Sequence, residues 1–489
     1  MSYDIRKVLS NGKESFYRVL PNVLETSKEG TVGNIPASLP NPQVENFTQA
    51  RYLQELSPSG HKIFNTSVYP DKWIEEKDAE GNVTSYRCEN ITRIAVPFQR
   101  IIASSQKIHI TGNPLKFTLT NALPTKENNE TFTNVKQGWL NHNFNTAFSE
   151  CVESQLTTGD CAIYLFRESG ILDWQTFSYA KGDLLMPIFK DNGKLKILYR
   201  YFSSRDDNNK VVEAMNVFDE QFVWTYRKDK FKWIEVGQVP HGCPEVPCVY
   251  KRGKVAWDDV QPLIEEFEWS FSSFCEGNAY FSNTIMFAKG DITMMPSKNT
   301  QGKLIVGSEG SDAKYLEKSA GSAETHKLQF DILEKKIYMG AFYVDISPEN
   351  VPSGGDLPGV AIRLLMTPEI NKAIELSQEW DEFVDTLVRL FLYFYGLEQK
   401  NSTKVNELAI RSEIDIYTPE NTTEVVNILN SSKTMKTLST KTAAERHPYA
   451  TNDEVERLQD EAKAEADLTA STAQTGMNEN NLQQSLLNE

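Results

Sequence analysis

Carboxylates are the side chains in this sequence that are best placed to do chemistry. The adjacent pairs Asp258/Asp259 and Glu265/Glu266 could supply a general acid and a general base, as paired carboxylates do in glycosidases. Both pairs lie on a predicted helix with an apolar stripe, where acidic side chains are typical of a solvated face. We therefore predict no catalytic residues in this helix.

A metal or nucleotide site is the second possibility. His241, Cys243 and Cys248 could begin a zinc site, but no second ligand pair follows at zinc spacing, and Pro244 and Pro247 favour a turn. The sequence has no Gly-x-x-x-x-Gly-Lys-Ser/Thr, His-Glu-x-x-His or Gly-x-Ser-x-Gly motif. We therefore predict no metal, no cofactor and no enzymatic activity.

The composition excludes several classes of protein. The 489 residues include 51 Lys and Arg against 67 Asp and Glu, a formal net charge of −16. A chain this acidic is poorly suited to bind nucleic acid by neutralising phosphates over a broad surface. With 39% hydrophobic residues it can bury a sizeable core, and at about 150 residues per domain we expect roughly three domains or one large multi-part fold.

No membrane or secretory segment is expected. The most apolar stretch, 383–397, is too short to span a bilayer and carries Asp385 and Arg389. The N-terminal residues lack the apolar region of a signal peptide, and the six cysteines show no disulfide-framework spacing. We therefore expect a reduced, intracellular environment.

Residues 161–250 predict an antiparallel meander of about six strands. Glu168-Ser169-Gly170 and Asp191-Asn192-Gly193 are turn signals between β-type runs. The runs carry alternating aromatic residues: Tyr199, Tyr201, Trp224, Tyr226 and Trp233. Such aromatics could stack on sugars or bases, but alternation at strand period favours the core of a half-buried sheet.

Helical periodicity dominates the remainder of the chain. The predicted helices cover about 92–107, 129–156, 258–281, 323–343, 358–395, 419–433 and 451–468, with a strand over 412–417. Pro97 should kink the first of these helices and Pro368 the fifth. The helix over 258–281 has an apolar stripe, Trp269 off that stripe, and an acidic remainder without Lys or Arg. A helix with two packing faces needs neighbours, and in a chain without repeats these can be other copies arranged in a ring.

In these features the sequence resembles the tailed-bacteriophage portal proteins, the head-to-tail connectors of the long-tailed siphovirus type. The local patterns that carry the resemblance occur in family order over roughly 90–465: Gly112 to Phe117, Thr158 to Leu165, Met186 to Phe189, Tyr199 to Phe202, Ala323 to His326, Leu357 to Ile362 and Leu438 to Ala450.

The resemblance implies an α+β portal fold with a wing, stem helices, a small clip, a long kinked helix and a helical crown. The implied boundaries are 1–257 for the N-terminal arm and wing, 258–281 for the first stem helix, 282–322 for the clip, 323–345 for the second stem helix, 346–357 for a channel loop, 358–411 for the long kinked wing helix and its return, 412–468 for a wing strand and crown helices, and 469–489 for a disordered polar tail.

The resemblance also implies a function. A ring, normally of twelve subunits, would sit at one capsid vertex of the virion and pass double-stranded DNA without sequence recognition during packaging and ejection. It would dock the terminase large subunit, which would hydrolyse the nucleotide, and later a head-completion or adaptor protein. Major capsid and scaffold proteins would be further partners, and the infected bacterial cytoplasm the location before assembly.

Three sets of residues receive roles through the resemblance. The DNA-channel loop would present Asn350, Val351, Pro352, Ser353, Gly354 and Gly355, and the stem interface between subunits would use Phe267, Phe271, Phe274 and Trp269. Lys327, Lys335 and Lys336 would either form a basic ring in the channel or pair with the acidic first stem helix of a neighbour. The net charge agrees with a conduit, because an acidic wall repels phosphates.

Two other functions remain open at this point. The aromatic meander and the carboxylates are compatible with a monomeric glycan-active or glycan-binding protein. A nuclease or other DNA-processing enzyme is a weaker alternative.

Overall fold

The computed structural model describes residues 48–77, 82–121, 125–205, 211–229, 232–282, 285–289, 292–294, 306–307, 312–316, 320–347, 359–419, 422–435, 437–450, 454–455 and 457–464. Its labelled helices are α1 (Thr48–Leu56), α2 (Phe98–Thr111), α3 (Lys126–Asn141), α4 (Phe144–Thr158), α5 (Gln261–Ser282), α6 (Ala320–Gly340), α7 (Gly359–Leu365), α8 (Thr367–Glu398), α9 (Ser402–Asn406), α10 (Thr422–Thr434) and α11 (Thr440–Glu445).

The strands are β1 (Lys72–Lys77), β2 (Val83–Glu89), β3 (Lys116–Leu119), β4 (Asp160–Glu168), β5 (Ile171–Phe177), β6 (Leu184–Phe189), β7 (Leu195–Arg205), β8 (Val211–Phe218), β9 (Phe222–Asp229), β10 (Lys232–Pro240), β11 (Cys248–Arg252), β12 (Ile285–Lys289), β13 (Ile292–Met294), β14 (Val306–Gly307), β15 (Asp312–Leu316) and β16 (Ile410–Glu413). The predicted α+β class is confirmed.

The chain divides into two compact units. The first is formed by the described residues of Met1–Ile346 and Pro368–Tyr417, and the second by those of Ser347–Thr367 and Thr418–Glu489. The second unit contains α7, α10 and α11, and within it the Ser439 side chain caps α11 by accepting the N–H of Thr442 at 3.1 Å. The segments predicted as stem helices, 258–281 and 323–345, and as the clip, 282–322, belong to the first unit.

The β region differs from the predicted six-stranded meander. It has eight strands in two sheets, a five-stranded sheet in the order β10-β9-β8-β7-β6 and a three-stranded sheet in the order β11-β4-β5. The predicted turn at Ser169-Gly170 is present, and both residues have positive φ, 52° and 91°. The β4–β5 hairpin leaves the meander because β4 pairs with β11, a strand that follows the whole five-stranded sheet in the sequence.

Two expected helices also need correction. The stretch 129–156 is not one helix: α3 ends at Asn141 and α4 begins at Phe144, because Asn143 adopts a left-handed conformation with φ 56°. Pro97 does not kink a helix over 92–107, since it precedes Phe98, the first residue of α2. A proline lacks the N–H of a helix interior and is tolerated at this boundary.

The long helix α8 lies at the centre of the core of the first unit. Trp380, Leu387 and Phe391 are almost completely buried on it and pack with residues of α3, α4 and β4. The expected kink at Pro368 is an interruption at Met366, which separates α7 from α8. The expected strand over 412–417 lies slightly earlier, as β16, and pairs antiparallel with β3.

Asp160, the first residue of β4, is a buried carboxylate with incomplete hydrogen bonding. The Gln49 side-chain amide donates to Asp160 Oδ2 at 3.2 Å, whereas Oδ1 has no partner. Burial raises the pKa of Asp160 to about 7 from its ordinary value of 3.8. Because the folded state binds this proton more tightly than the unfolded state, stability is lost as the pH rises from about 4 to 7.

We therefore expect Asp160→Asn to raise the melting temperature at pH 8, where the wild-type protein buries a charge. From the pKa shift, the free energy of unfolding of the variant should exceed that of wild type by about 2–4 kcal/mol at pH 8 and by almost nothing at pH 4. Thermal unfolding followed by tryptophan fluorescence at both pH values measures the difference. Asp191→Asn, in the exposed β6–β7 turn, is the matched control and should change stability little at either pH. If Asp160→Asn is no more stable than wild type at pH 8, the expectation is wrong.

Candidate functional site

Helix α5, the predicted first stem helix, presents opposite faces to two different parts of the chain. At 3.6 residues per turn, Phe267, Phe271 and Phe274 fall on one side, and Glu265, Trp269 and Glu276 fall on the other. The first side packs against α6, and the second faces the N-terminal segment 51–96.

Three phenylalanine side chains of α5 pack against one residue of α6, Phe330. The ring centroid of Phe330 lies 5.8 Å from Phe267, 5.5 Å from Phe271 and 5.4 Å from Phe274. Edge contacts of this kind add to the hydrophobic gain of burial. Phe98 at the start of α2 extends the cluster through an edge contact with Phe267 at 5.2 Å.

These contacts bear on the predicted stem interface. Phe267 is only 9% exposed, so its side chain is used inside the chain, and Phe271 and Phe274 are half-buried in the same cluster. Their contribution to a contact between subunits stays a prediction, and a charged substitution of Phe267 would disturb folding before assembly. Trp269, on the other face of α5, is 38% exposed and stacks on Tyr69 at 4.8 Å.

The acidic side of α5 and its approach are neutralised by cations of the same chain. Arg51 pairs with Asp258 at 2.7 Å, Lys62 pairs with Glu265 at 2.6 Å, and Lys72 pairs with Glu276. Lys254 pairs with Asp259 at 2.9 Å. Three of these four cations precede α5 by about two hundred residues, and no local pattern in the sequence announces the pairing.

The predicted solvated acidic face of this helix is wrong for Glu268. It is 2% exposed, and its Oε1 lies 2.6 Å from Nδ1 of His61 and accepts the Val96 N–H at 2.9 Å. One turn later Ser272 Oγ accepts the Ile94 N–H at 2.9 Å. The buried carboxylate therefore fixes the N-terminal segment on α5, because a buried acid needs such partners.

A cleft of about 670 Å³ lies beside this network, between α1, the turn at 58–65 and the start of α5. Its charged lining residues Arg51, Lys62 and Glu265 are already in ion pairs. Glu55, also in the lining, has a pKa raised by burial, and its carboxylate accepts the Trp257 Nε1–H at 2.9 Å. These charged side chains of the cleft are therefore engaged in contacts within the chain that stabilise the fold.

The three candidate lysines Lys327, Lys335 and Lys336 are exposed on α6. Among the described residues no carboxylate forms an ion pair with them. Glu265 and Glu276 of α5 already pair with lysines of their own chain, and Glu266 accepts a hydrogen bond from Ser270 Oγ at 3.2 Å. Whether these lysines form a basic ring or pair with the first stem helix of a neighbouring subunit stays a prediction.

The predicted channel-loop residues 350–355 lie outside the described residues, but the chain before and after the loop meets at a buried junction. His109 Nδ1 lies 2.7 Å from the Tyr417 carbonyl oxygen, and its Nε2 lies 3.0 Å from Glu369 Oε2. Glu369 Oε1 accepts the Val344 N–H at 2.9 Å and the Ser105 hydroxyl at 3.1 Å. Sequence analysis missed this junction, since its members are far apart in the chain.

Both ring nitrogens of His109 face acceptor oxygens, which suits the doubly protonated imidazolium. Burial alone lowers the pKa of His109, but the hydrogen bonds to Glu369 and to the Tyr417 carbonyl outweigh burial, so the pKa is raised above its usual value. The stabilisation from this raised pKa is complete below the ordinary histidine pKa of about 6.5 and is lost as the pH rises through the folded-state value.

We expect His109→Gln to cost more stability at pH 6 than at pH 8.5. Removing the charge-assisted hydrogen bonds should destabilise the protein by about 1.5–3 kcal/mol at pH 6. The difference in unfolding free energy between the variant and wild type should be smaller at the higher pH. Parallel thermal melts at the two pH values provide the measurement. His447→Gln, at a half-buried histidine outside this junction, is the control. A gap that stays constant with pH would contradict a charged His109.

The features behind the two alternative functions have structural roles. Tyr199, Tyr201, Trp224, Tyr226 and Trp233 are buried at 7% exposure or less in the core of the five-stranded sheet, so they do not form a stacking surface. This confirms the prediction of a half-buried sheet. His241 Nε2 lies 3.1 Å from the Asp219 carbonyl oxygen and Nδ1 accepts the Cys243 N–H, and no group of metal ligands occurs among the described residues.

Helices α5 and α6 pack against each other, and the antiparallel pairs β12–β15 and β13–β14 lie between them in the sequence. Residues 51–468 match the family described as phage portal protein, SPP1 Gp6-like, and the chain belongs to this family. No curated protein matches the chain.

Family membership confirms the predicted resemblance and gives the protein a structural portal role in the bacteriophage virion. The family is structural rather than enzymatic and implies a capsid-associated ring at a vertex through which DNA passes. Within the described residues no helix is long and apolar enough to cross a membrane.

Proposed function

We propose that this protein forms a ring of twelve subunits at one capsid vertex and provides the channel for genome packaging and ejection. The observation that carries the proposal is the family match over residues 51–468. The terminase large subunit docks on the ring during packaging and supplies nucleotide hydrolysis, and a head-completion or adaptor protein takes its place later. Major capsid and scaffold proteins surround the ring, which is made in the infected bacterial cytoplasm.

The proposed regions follow the order of the elements. The antiparallel pairs β12–β15 and β13–β14 come between α5 and α6 in the sequence, which supports the clip assignment for 282–322. The two helices that flank them pack through Phe330, which supports their assignment as stem helices. The clip is the proposed docking point for the terminase.

The charge of the chain suits passive passage of DNA. Each subunit carries a net −16, and the summed field of a ring repels phosphates rather than holding them. The channel loop 346–357 contains Glu349 and Asp356 and no cation. Its proposed DNA contacts are therefore steric or weakly polar. Lys327 and Lys336 are the candidates for a basic ring elsewhere in the channel, and Lys335 for a contact with a neighbouring subunit.

The first test is the mass of the purified protein in solution. A ring of twelve 55.5 kDa chains should have a mass of about 670 kDa, measured by light scattering after size exclusion, and images should show a central hole. Binding of glycans or metal-dependent cleavage of DNA by a protein that never forms such a ring would contradict the portal proposal and favour the two alternatives.

Deletion of Asn350–Gly355 tests the channel loop. We expect the ring to keep its mass, because the deleted residues belong to the loop and not to the stem, whereas packaged DNA per particle should fall at least about tenfold if the loop holds the genome. Quantifying DNA in particles assembled with this variant gives the result. Deleting an equal length of the C-terminal tail, from 480 to 485, is the control, and normal packaging by the loop deletion would refute the assignment.

A further inference from the structure

Three layers stack side by side around α5, and among the described residues their order leaves two outer faces exposed. The N-terminal segment covers the acidic side of α5 through Lys62, Tyr69 and Lys72, and α6 covers the opposite side of α5 through Phe330. The outer side of the first layer and the outer side of α6 therefore point away from each other. Such a pair of opposite faces is what a head-to-tail ring requires.

The first outer face belongs to the β1–β2 hairpin, a two-stranded sheet that pairs with no other described strand. Trp73 stands opposite Cys88, and Glu75 stands opposite Tyr86, so these four side chains share one face. Trp73 is 67% exposed and Tyr86 63% exposed. Lys72, on the other face, is the residue that binds Glu276 of α5, so the aromatic face points outwards.

The second outer face is a stripe along α6. Leu328, Ile332, Lys335 and Met339 recur at intervals of three and four residues, on the side opposite Phe330 and Ile337. Leu328 is 60% exposed, Ile332 49% and Met339 66%. In a protein that acts alone, a helix this exposed would leave a costly apolar surface in water.

We propose that the aromatic face of the β1–β2 hairpin of one subunit packs on the α6 stripe of the next subunit around the ring. The inference rests on the proposed ring and specifies one of its contacts. The partner is a second copy of this chain, because the two faces lie on opposite sides of one three-layer stack and a single rotation brings one onto the other.

The two faces also match in chemistry and size. Trp73 and Tyr86 supply rigid aromatic area, and the α6 stripe supplies flexible aliphatic side chains that can pack around it. Glu75 stands in the hairpin face and Lys335 in the stripe, so opposite charges meet when the apolar parts are in contact. An isolated two-stranded hairpin is marginally stable in water, and the contact would order it.

Native Cys88 allows a direct test, because it is the one exposed cysteine among the six. Three variants, Leu328→Cys, Ile332→Cys and Met339→Cys, each place a second thiol on the stripe. Treated with a short bis-maleimide, at least one should yield a ladder of covalent multimers on a denaturing gel, up to the size of the ring. A chain with one reactive thiol stops at dimers, so each step of a ladder requires both Cys88 and the stripe thiol, and links confined to neighbours around the ring are expected to join Cys88 of one subunit to the stripe of the next.

The controls separate this contact from the ring itself. Adding Cys88→Ser should abolish the ladder, and Glu130→Cys on α3, exposed and outside the stem layers, should give none. A ring of the expected mass with no ladder from any of the three variants would overturn this contact and leave the proposed function standing. A chain that remains monomeric by light scattering would overturn both.

Trp73→Glu tests the same contact without cross-linking. Because Trp73 is exposed in the chain, the variant should keep the wild-type melting curve of the monomer but form the ring at least tenfold less readily, measured as the protein concentration at half assembly. Val236→Glu, at a residue of β10 that is 63% exposed, is the matched control and should assemble normally. Equal assembly of the two variants would contradict the proposal.

Discussion

The fold of the first unit depends on one helix, α5, that is packed on both sides by chemically different partners. Its aromatic side follows the ordinary hydrophobic rule and packs against Phe330 of α6. Its other side contains Glu268, a carboxylate that is removed from water and therefore needs His61 and the Val96 N–H in fixed positions. Removing one partner from such a pair typically costs about 3–5 kcal/mol. The N-terminal segment, including the β1–β2 hairpin, is thus held in place by an electrostatic requirement of a helix two hundred residues later.

This arrangement changes how the charge of the chain should be understood. The net charge of −16 determines the long-range field, but the acidic run on and just before α5 is largely neutralised by Arg51, Lys62 and Lys72. The repulsion expected from a channel wall must therefore come from carboxylates outside this network. Conversely, the lysines of α6 have no partner among the described carboxylates and keep their charge available.

The sequence could predict what depends on local patterns. The turn at Ser169-Gly170, the antiparallel β region and the helices α5 and α6 follow from turn residues and apolar periodicity. The break at Asn143 could not be predicted, because the apolar spacing continues across it and one left-handed residue causes it. The predicted six-stranded meander was also wrong. The pairing of β4 with β11, which places them in a second sheet, joins residues more than eighty positions apart.

The candidate site shows the same limit more sharply. Phe267 was correctly predicted to face apolar partners, but periodicity alone does not say whether those partners belong to the same chain or to another. The carboxylate Glu268 looks like its neighbours Glu265 and Glu266 in the sequence, and only tertiary structure distinguishes a buried, hydrogen-bonded carboxylate from a solvated one. Polar groups of this kind are paired across long sequence distances, so no window of the sequence contains both members.

Two buried His–Glu pairs hold the chain at the two predicted stem helices. His61 and Glu268 hold α5, and His109 and Glu369 hold the chain just after α6, through the bond from Glu369 to the Val344 N–H. Apolar contacts could give similar stability, since replacing buried ion pairs by well-packed hydrophobic residues is often neutral or better. What a directional pair adds is a fixed register, because a shift of one residue along either helix would leave a buried carboxylate unpaired. In a portal ring each helix pair must repeat the same position in every subunit, and a small error in register would accumulate around the closed ring. The two hydrogen-bonded pairs at the predicted stem helices would limit that error within each subunit.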